Sequence, residues 1–130
     1  MSQEPQMHVN EYGTKIWKLN GNYHREDGPA IEYANGTKAW LQCGKLHRTN
    51  GAAIEWLDGA KEWYVDGVRH RVDGAAVEYA DGSKFWYVDG MMYYDVAAWA
   101  KMALQYEHKE ATQEAIDAKV AAVMQQDFFN

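Results

Sequence analysis

The sequence has little of what several protein classes require. Its 130 residues include one cysteine, Cys43, so no disulfide can form within the chain. No charged segment followed by an apolar one opens the sequence, and together with the single thiol this predicts a cytoplasmic protein. No apolar run approaches the roughly 18 residues that a membrane-spanning helix needs. We therefore expect a soluble protein without a membrane partner.

Basic residues are also scarce. The chain carries 13 Lys and Arg against 19 Asp and Glu, for a net charge of -6. Proteins that bind duplex nucleic acid gain much of their affinity by neutralising phosphates, so this balance argues against such a partner. Glycine-rich phosphate motifs, a nucleophile elbow and a nucleophile paired with a base are all missing. The sequence predicts no catalytic residue, no metal site, no cofactor and no enzymatic activity.

What the sequence does contain is a repeat of 23 residues. The segment 8–23 repeats part of the same pattern, with Gly13, Lys15, Trp17 and Gly21 at equivalent spacing. Repetition with such a period is typical of arrays in which each unit packs on its neighbours. We predict a flexible tail at 1–7 and an array over 8–92 that opens with a half repeat at 8–23. The full units are HREDGPAIEYANGTKAWLQCGKL at 24–46, HRTNGAAIEWLDGAKEWYVDGVR at 47–69 and HRVDGAAVEYADGSKFWYVDGMM at 70–92.

Glycines recur at near-equal spacing inside each unit, most of them after Asp or Asn. These dipeptides supply the positive φ angles of two-residue hairpin turns, and the runs between them are rich in β-branched and aromatic residues. Identical units in one antiparallel sheet must contribute an even number of strands each. We expect two per unit, seven or eight in all, with the third segment as a connection that carries His-Arg. A β-solenoid is the alternative fold. Trp17, Trp40, Trp63 and Trp86 should form a row across the sheet.

The segment 93–130 differs in composition and predicts one or two helices. From Asp95, a suitable N-cap, to about Gln126 there is no Gly or Pro. Either the chain turns within the polar stretch 107–114 and a second helix folds back, or one long helix projects. In the second case its distal apolar stripe must bind another chain, which predicts a homodimer. The proximal stripe comprises Val96, Trp99, Ala103 and Leu104, and the distal one Ile116, Val120, Val123 and Met124.

The first and third full units have the pattern HRxDGxAxExxxGxKxW, completed by a glycine four residues later, and the second departs from it only at Asn50. This pattern resembles the MORN-like repeats of uncharacterised proteins from tailed phages and large viruses. The resemblance covers residues 8–92. It implies a mostly β fold, a meander of hairpins, that serves as a scaffold or a docking surface for proteins. It also implies a small phage accessory protein, an inhibitor directed against a host defence or regulatory factor.

A His-Arg pair begins every full unit and forms the first candidate site. Three arginines on one edge could bind a nucleotide or another anion. A structural role is the favoured interpretation, because a residue required by every unit serves the fold more often than one site. Each Arg would then pair with Glu32, Glu55, Glu78 or a loop Asp, and each His would bond to a backbone carbonyl. The candidate anion-binding residues are His24, Arg25, His47, Arg48, His70 and Arg71.

Positions that depart from the repeat form the second candidate site. Aromatic residues, Met and Arg are the residue types that protein interfaces favour. The sequence thus predicts a non-catalytic module that binds a host protein, with a homodimer through the C-terminal helix. The alternatives are a protein that sequesters an anionic ligand and a structural scaffold. The predicted interface residues are Arg69, Met91, Met92, Tyr93, Tyr94, Ile116, Val120, Val123, Met124, Phe128 and Phe129.

Overall fold

The computed structural model describes the backbone of residues 3–129 and the side chains of residues 3–126. It is mostly antiparallel β-sheet followed by two helices, as predicted. Within the described residues the strands are β1 Gln6–Val9, β2 Lys15–Leu19, β3 Asn22–Tyr23, β4 Ile31–Glu32, β5 Lys38–Ala39, β6 Leu41–Gln42, β7 Lys45–Leu46, β8 Ile54–Glu55, β9 Lys61–Glu62, β10 Tyr64–Val65, β11 Val68–Arg69, β12 Val77–Glu78, β13 Lys84–Val88 and β14 Met91–Tyr93. The helices are α1 Val96–Tyr106 and α2 Gln113–Phe129.

Each full unit contributes two strands to one continuous sheet, as the parity argument requires. The order β1-β2-β4-β5-β8-β9-β12-β13 follows the chain, and every pairing is antiparallel. Stacked parallel rungs are therefore ruled out among the described strands, and with them the β-solenoid. The predicted half repeat supplies β1 and β2. Gln6 and Met7, predicted to lie in the flexible tail, belong to β1 instead.

The third segment of each unit is also a strand, which corrects the predicted count of seven or eight. This strand pairs with the strand directly before it in the chain, which gives the ladders β6-β7, β10-β11 and β13-β14. The His-Arg pair follows this strand rather than lying within a free connection. Parity restricts only the number of strands that each unit adds to the continuous sheet. The additional strands pair in separate hairpins, so parity does not count them.

The hairpin turns of these outer ladders have the predicted chemistry. Cys43 has φ 51° and Gly44 has φ 80°, and the equivalent residues at 66–67 and 89–90 agree within a few degrees. Two successive positive φ angles define the turn whose twist matches that of the flanking strands. The amide of Gly44 donates to the carbonyl of Tyr23 in the preceding hairpin, at 2.9 Å. Each outer hairpin thus hydrogen-bonds to the one before it.

The C-terminal segment forms two helices, and the second folds back on the first. The carboxylate of Asp95 accepts from the amide of Ala97 at 3.1 Å, so the predicted N-cap is confirmed. After α1, His108 adopts φ 61°, and the amides of His108 and Lys109 donate to the carbonyls of Gln105 and Leu104. This is the Schellman arrangement that ends a helix. Neither helix in the described part of the chain combines the length and apolarity that spanning a bilayer demands.

The largest core lies between the helices and the last unit. Trp99 is fully buried there, its ring 4.8 Å from that of Trp86, and its indole N–H donates to the carbonyl of Arg71 at 3.1 Å. Ile116 and Val123 of α2 are buried in the same cluster. The two apolar stripes therefore pack within one chain. Folding back was one of the two predicted alternatives, and it leaves the dimer hypothesis without the projecting stripe on which it depended.

Candidate functional site

The histidines of the His-Arg pairs each hydrogen-bond to the outer turn of their own unit. The Nδ1 atoms of His24, His47 and His70 accept from the amides of Cys43, Asp66 and Asp89, at 3.0, 3.0 and 2.9 Å. The prediction that each histidine bonds to a backbone carbonyl is therefore wrong. The amide belongs to a residue with positive φ, so the imidazole stabilises the turn that the unit needs.

The arginines lie flat on the tryptophans. The guanidinium carbons of Arg25, Arg48 and Arg71 sit 3.9, 3.8 and 3.8 Å from the ring centroids of Trp17, Trp40 and Trp63. The predicted carboxylate partners are present: Asp27 with Arg25 at 3.1 Å, Glu55 with Arg48 at 3.1 Å, and Asp73 with Arg71 at 2.8 Å. The stacking joins each unit to the one before it, whereas each carboxylate pair lies within a single unit.

The first glycine of each unit makes this stacking possible. A Cβ added at Gly28, Gly51 or Gly74 would lie 2.8, 2.8 or 2.7 Å from the guanidinium carbon of the arginine three residues earlier. These glycines have no positive φ. The expectation that they form hairpin turns is wrong, because they are needed for close approach.

The ladder of His-Arg pairs is largely occupied by its own contacts. The Nε of each arginine donates to Asp27, Asn50 or Asp73, and its Nη1 donates to the carbonyl of residue 29, 52 or 75. A cavity of about 520 Å³ between the last two pairs is lined by Arg48, Trp63, His70 and Tyr106, among others. The geometry favours the structural role for these six residues, and anion binding stays a prediction.

His70 gives the fold a predicted sensitivity to acid. Burial lowers the pKa of His70 from its usual 6.5, against the opposing effect of the Asp89 carboxylate, and the ring of Tyr106 lies 4.2 Å away. The unfolded chain therefore binds a proton at His70 more readily than the folded chain does. As a result, the free energy of unfolding falls as pH drops below about 6.5. We expect His70→Asn to show a smaller loss between pH 7 and pH 5 than the natural chain, because its amide oxygen replaces Nδ1 without titrating.

Urea denaturation at several pH values measures this difference. His108→Asn is the matched control, since His108 is exposed and its positive φ suits Asn. Equal pH dependence in the two variants would show that His70 contributes nothing to acid sensitivity.

The sheet has two faces of different chemistry. We call the one that carries Trp17, Trp40, Trp63 and Trp86 the tryptophan face. Along it a row of register partners alternates in charge across the strands, which favours cross-strand attraction. The row runs Lys15, Glu32, Lys38, Glu55, Lys61, Glu78 and Lys84. The helices pack on this face at its last unit, against Trp86 and Val88.

The opposite face, which we call the open face, is apolar and aromatic. Its central row consists of the register partners Ile16, Ile31, Ala39, Ile54, Glu62, Val77 and Phe85. Beside this row Tyr33, Trp56 and Tyr79 are 44 %, 45 % and 47 % exposed. A groove of about 490 Å³ runs between Ile31, Tyr33, Leu41, Leu46, Ile54 and Trp56. Large apolar side chains thus remain in contact with solvent on this face.

The three units differ along the open face, and on the tryptophan face they differ in the outer hairpins, at 42, 65 and 88 and at 45, 68 and 91. In the continuous sheet the Glu, Lys and Trp of the tryptophan face recur unchanged in every unit. On the open face the equivalent positions hold Ala39, Glu62 and Phe85, and the outer strands hold Leu46, Arg69 and Met92. The unchanged residues make the joints between units, whereas the changing ones line a surface.

The middle of the open face carries a polar cluster that the other units lack. Glu62 is 8 % exposed and accepts from the indole of Trp56 at 2.7 Å, the hydroxyl of Tyr64 at 3.0 Å and the guanidinium of Arg69 at 3.2 Å. Arg69 also donates to the hydroxyls of Tyr64 and Tyr87. Burial and the neighbouring Glu62 raise the pKa of Tyr64. Burial alone would lower the pKa of Arg69, but its contacts with Tyr64 and Glu62 raise it overall.

Of the residues predicted at the end of the array, the structure places some on each face. Arg69 and Met92 lie on the open face, because they are register partners of Tyr64 and Tyr87. Tyr93 packs against the helical core, and Met91 and Tyr94 are 63 % and 91 % exposed. These five residues do not form one surface. Sequence reasoning missed Tyr33, Trp56, Tyr79 and Phe85, although the two-residue alternation of each strand places them opposite the tryptophans.

The predicted interface residues of α2 are mostly engaged within the chain. Ile116 and Val123 are buried and Val120 packs against them, whereas Met124 is 40 % exposed. The side chains of Phe128 and Phe129 lie outside the described residues. Their role in binding stays a prediction.

Cys43 is an exposed free thiol. No cluster of His, Cys, Asp and Glu in the described part of the chain could hold a metal ion.

Comparisons with family models, curated proteins and solved structures find no match to this chain.

Proposed function

We propose that this chain is a non-catalytic protein-binding module that recognises its partner through the open face. The observation that supports this most is the division between the faces. Residues that recur in every unit hold the array together on the tryptophan face, and residues that differ between units line the open face. A surface whose side chains vary on a constant framework is suited to recognition.

The chemistry of the open face supports a protein partner. Exposed Tyr and Trp lie there with Arg69 and Met92 beside them. Tyr, Trp and Arg are the residue types that contribute most to binding at protein interfaces, and Met is enriched there. The groove beside Trp56 offers an apolar pocket for an anchoring side chain. The backbone of the central strands is already paired on both sides, so recognition there must come from side chains.

The identity of the partner is proposed from the repeat pattern. If the chain is a MORN-like phage accessory protein, as the resemblance of its repeats implies, the partner is a host defence or regulatory factor. Binding would then block that factor by occupying its surface. One crosslinking experiment tests both the binding surface and the identity of the partner.

A photo-crosslinking scan tests the proposal at single side chains. We expect p-benzoylphenylalanine at Tyr33 or Tyr79 to capture one and the same protein from host lysate, because both positions project from the open face. Tyr12, 75 % exposed in a loop, and Tyr94, 91 % exposed beyond β14, are matched controls. Mass spectrometry identifies the captured protein.

The captured protein is then purified and its affinity measured directly by calorimetry. Tyr33→Ser and Tyr79→Ser should each weaken binding at least about tenfold, as expected for interface hot spots, while Tyr12→Ser should not. Capture at Tyr94 but not at Tyr33 would place recognition at the end of the array instead. Equal capture at all four positions would show that the open face is not a specific binding surface.

A further inference from the structure

Among the residues that the structure describes, the first strand of the sheet, β1, is paired on one side only. In each full unit the first strand lies between two others: β4 between β2 and β5, β8 between β5 and β9, and β12 between β9 and β13. β1 is the equivalent strand of the half repeat. It pairs with β2, and no described strand lies on its other side. The array therefore offers a position for one more strand beside β1.

The backbone groups that face this position can be assigned. The amide of Asn10 donates to the carbonyl of Thr14. Hydrogen-bonded pairs alternate along an antiparallel ladder, so His8 and Gln6 also bond toward β2. The amides and carbonyls of Met7 and Val9 consequently point away from the sheet, toward the vacant side.

The side chains of the same two residues are apolar and exposed. Met7 and Val9 are 48 % and 53 % exposed and lie on the tryptophan face, as register partners of Trp17 and Lys15. Sheet edges are commonly protected by an inward charge, a lysine, a proline or a bulge within the strand. β1, with the sequence QMHV, has none of these.

We propose that β1 pairs with β1 of a second copy of this chain, in antiparallel register with His8 opposite His8. In this register Met7 of each copy lies opposite Val9 of the other, and both are the residues whose backbone groups point outward. Four hydrogen bonds form, and two Met-Val contacts are buried on the tryptophan face. Because His8 lies opposite itself, the faces of the two sheets continue into each other. The strand is self-complementary, which favours a second copy over an unrelated strand.

The contact is small, so the dimer is weak. Stable protein interfaces bury about 1,200 to 2,000 Å², more than two strands of four residues supply. We therefore expect association that depends on concentration. Sedimentation velocity on the full chain should show the mass rise from 14.9 kDa toward twice that value as concentration increases.

Met7→Pro tests the backbone pairing. It removes an amide that points away from the sheet, a position at which an edge strand tolerates proline. We expect the monomer to fold normally by circular dichroism and the dimer dissociation constant to rise at least about tenfold. Met7→Ala keeps the amide and is the control for the lost side chain; it should weaken association less. A natural chain that stays monomeric at every concentration, or a dimer unaffected by Met7→Pro, would overturn the proposal.

Disulfide trapping tests the register and does not depend on a stable dimer. In a Cys43→Asp background, which copies the residue of the other units, His8→Cys should form a covalent dimer on mild oxidation, since the paired Cα atoms would be about 4.5 Å apart. Gln6→Cys is the control on the same strand, because the two Gln6 positions would lie roughly 13 Å apart. Equal crosslinking of the two variants would refute this register, and preferential capture of another protein at His8→Cys would show that β1 receives a strand from a different partner.

Discussion

Trp99→Ala is expected to lower the free energy of unfolding by about 3 to 5 kcal/mol, the range for removing a large buried aromatic side chain. Trp99 is fully buried, packs on Trp86 and donates a hydrogen bond to the carbonyl of Arg71. Domains of this size are stable by roughly 5 to 15 kcal/mol, so the loss is a large part of the total. Urea denaturation followed by circular dichroism measures it.

Hydrogen exchange identifies which units of the array are destabilised in Trp99→Ala. In a repeat array each unit contacts its neighbours alone, so we expect the third unit, 70–92, to exchange faster in Trp99→Ala while the first full unit, 24–46, changes little. Tyr94→Ala, at an exposed position nearby, should stay within about 0.5 kcal/mol of the natural chain. A Trp99→Ala protein as stable as Tyr94→Ala would mean that α1 is not needed to close the array.

Arg69→Leu is expected to cost about 2 kcal/mol, because it leaves the buried carboxylate of Glu62 without its charged partner. The first full unit has Ala39 and Leu46 at these two positions, so the same backbone accepts an apolar pair. The double variant Glu62→Ala with Arg69→Leu should therefore recover most of the lost stability. Chemical denaturation of the two single variants and the double variant gives the coupling energy between the two residues.

This cycle also separates stability from recognition. The double variant keeps the fold and removes the polar centre of the open face, so partner binding should weaken even though the protein is stable. If the double variant is less stable than either single variant, the cluster is held together by Trp56, Tyr64 and Tyr87 rather than by the ion pair.

The sequence predicted the parts of the fold that depend on local chemistry. Asp66-Gly67 and Asp89-Gly90 located the outer turns of the last two units, and Asp95 located the start of α1. Alternation along the strands placed Trp63 and Tyr64 on opposite faces. Each of these follows from the conformational preferences of a few neighbouring residues, which is why one sequence is enough to predict them.

What the sequence did not predict depends on contacts between distant residues. Nothing near His24 in the chain shows that its imidazole accepts from an amide 19 residues later. Nothing near Gly28 shows that a Cβ at this position would clash with the guanidinium of Arg25. The candidate site was likewise sought where the repeat breaks down, at Met91 to Tyr94. The open face became apparent once the register showed which variable residues lie side by side.

Trp40 and Trp63 are covered by Arg48 and Arg71 of the following unit, whereas Trp86 packs against Trp99 of α1, with the two ring centroids 4.8 Å apart. The last tryptophan of the row thus packs against a helix, whereas the earlier ones pack against the next unit. Gene duplication can consequently lengthen or shorten such a chain by whole multiples of 23 residues while the same C-terminal helices close it. Each added copy would widen the variable surface by one hairpin, leaving its terminus unaltered.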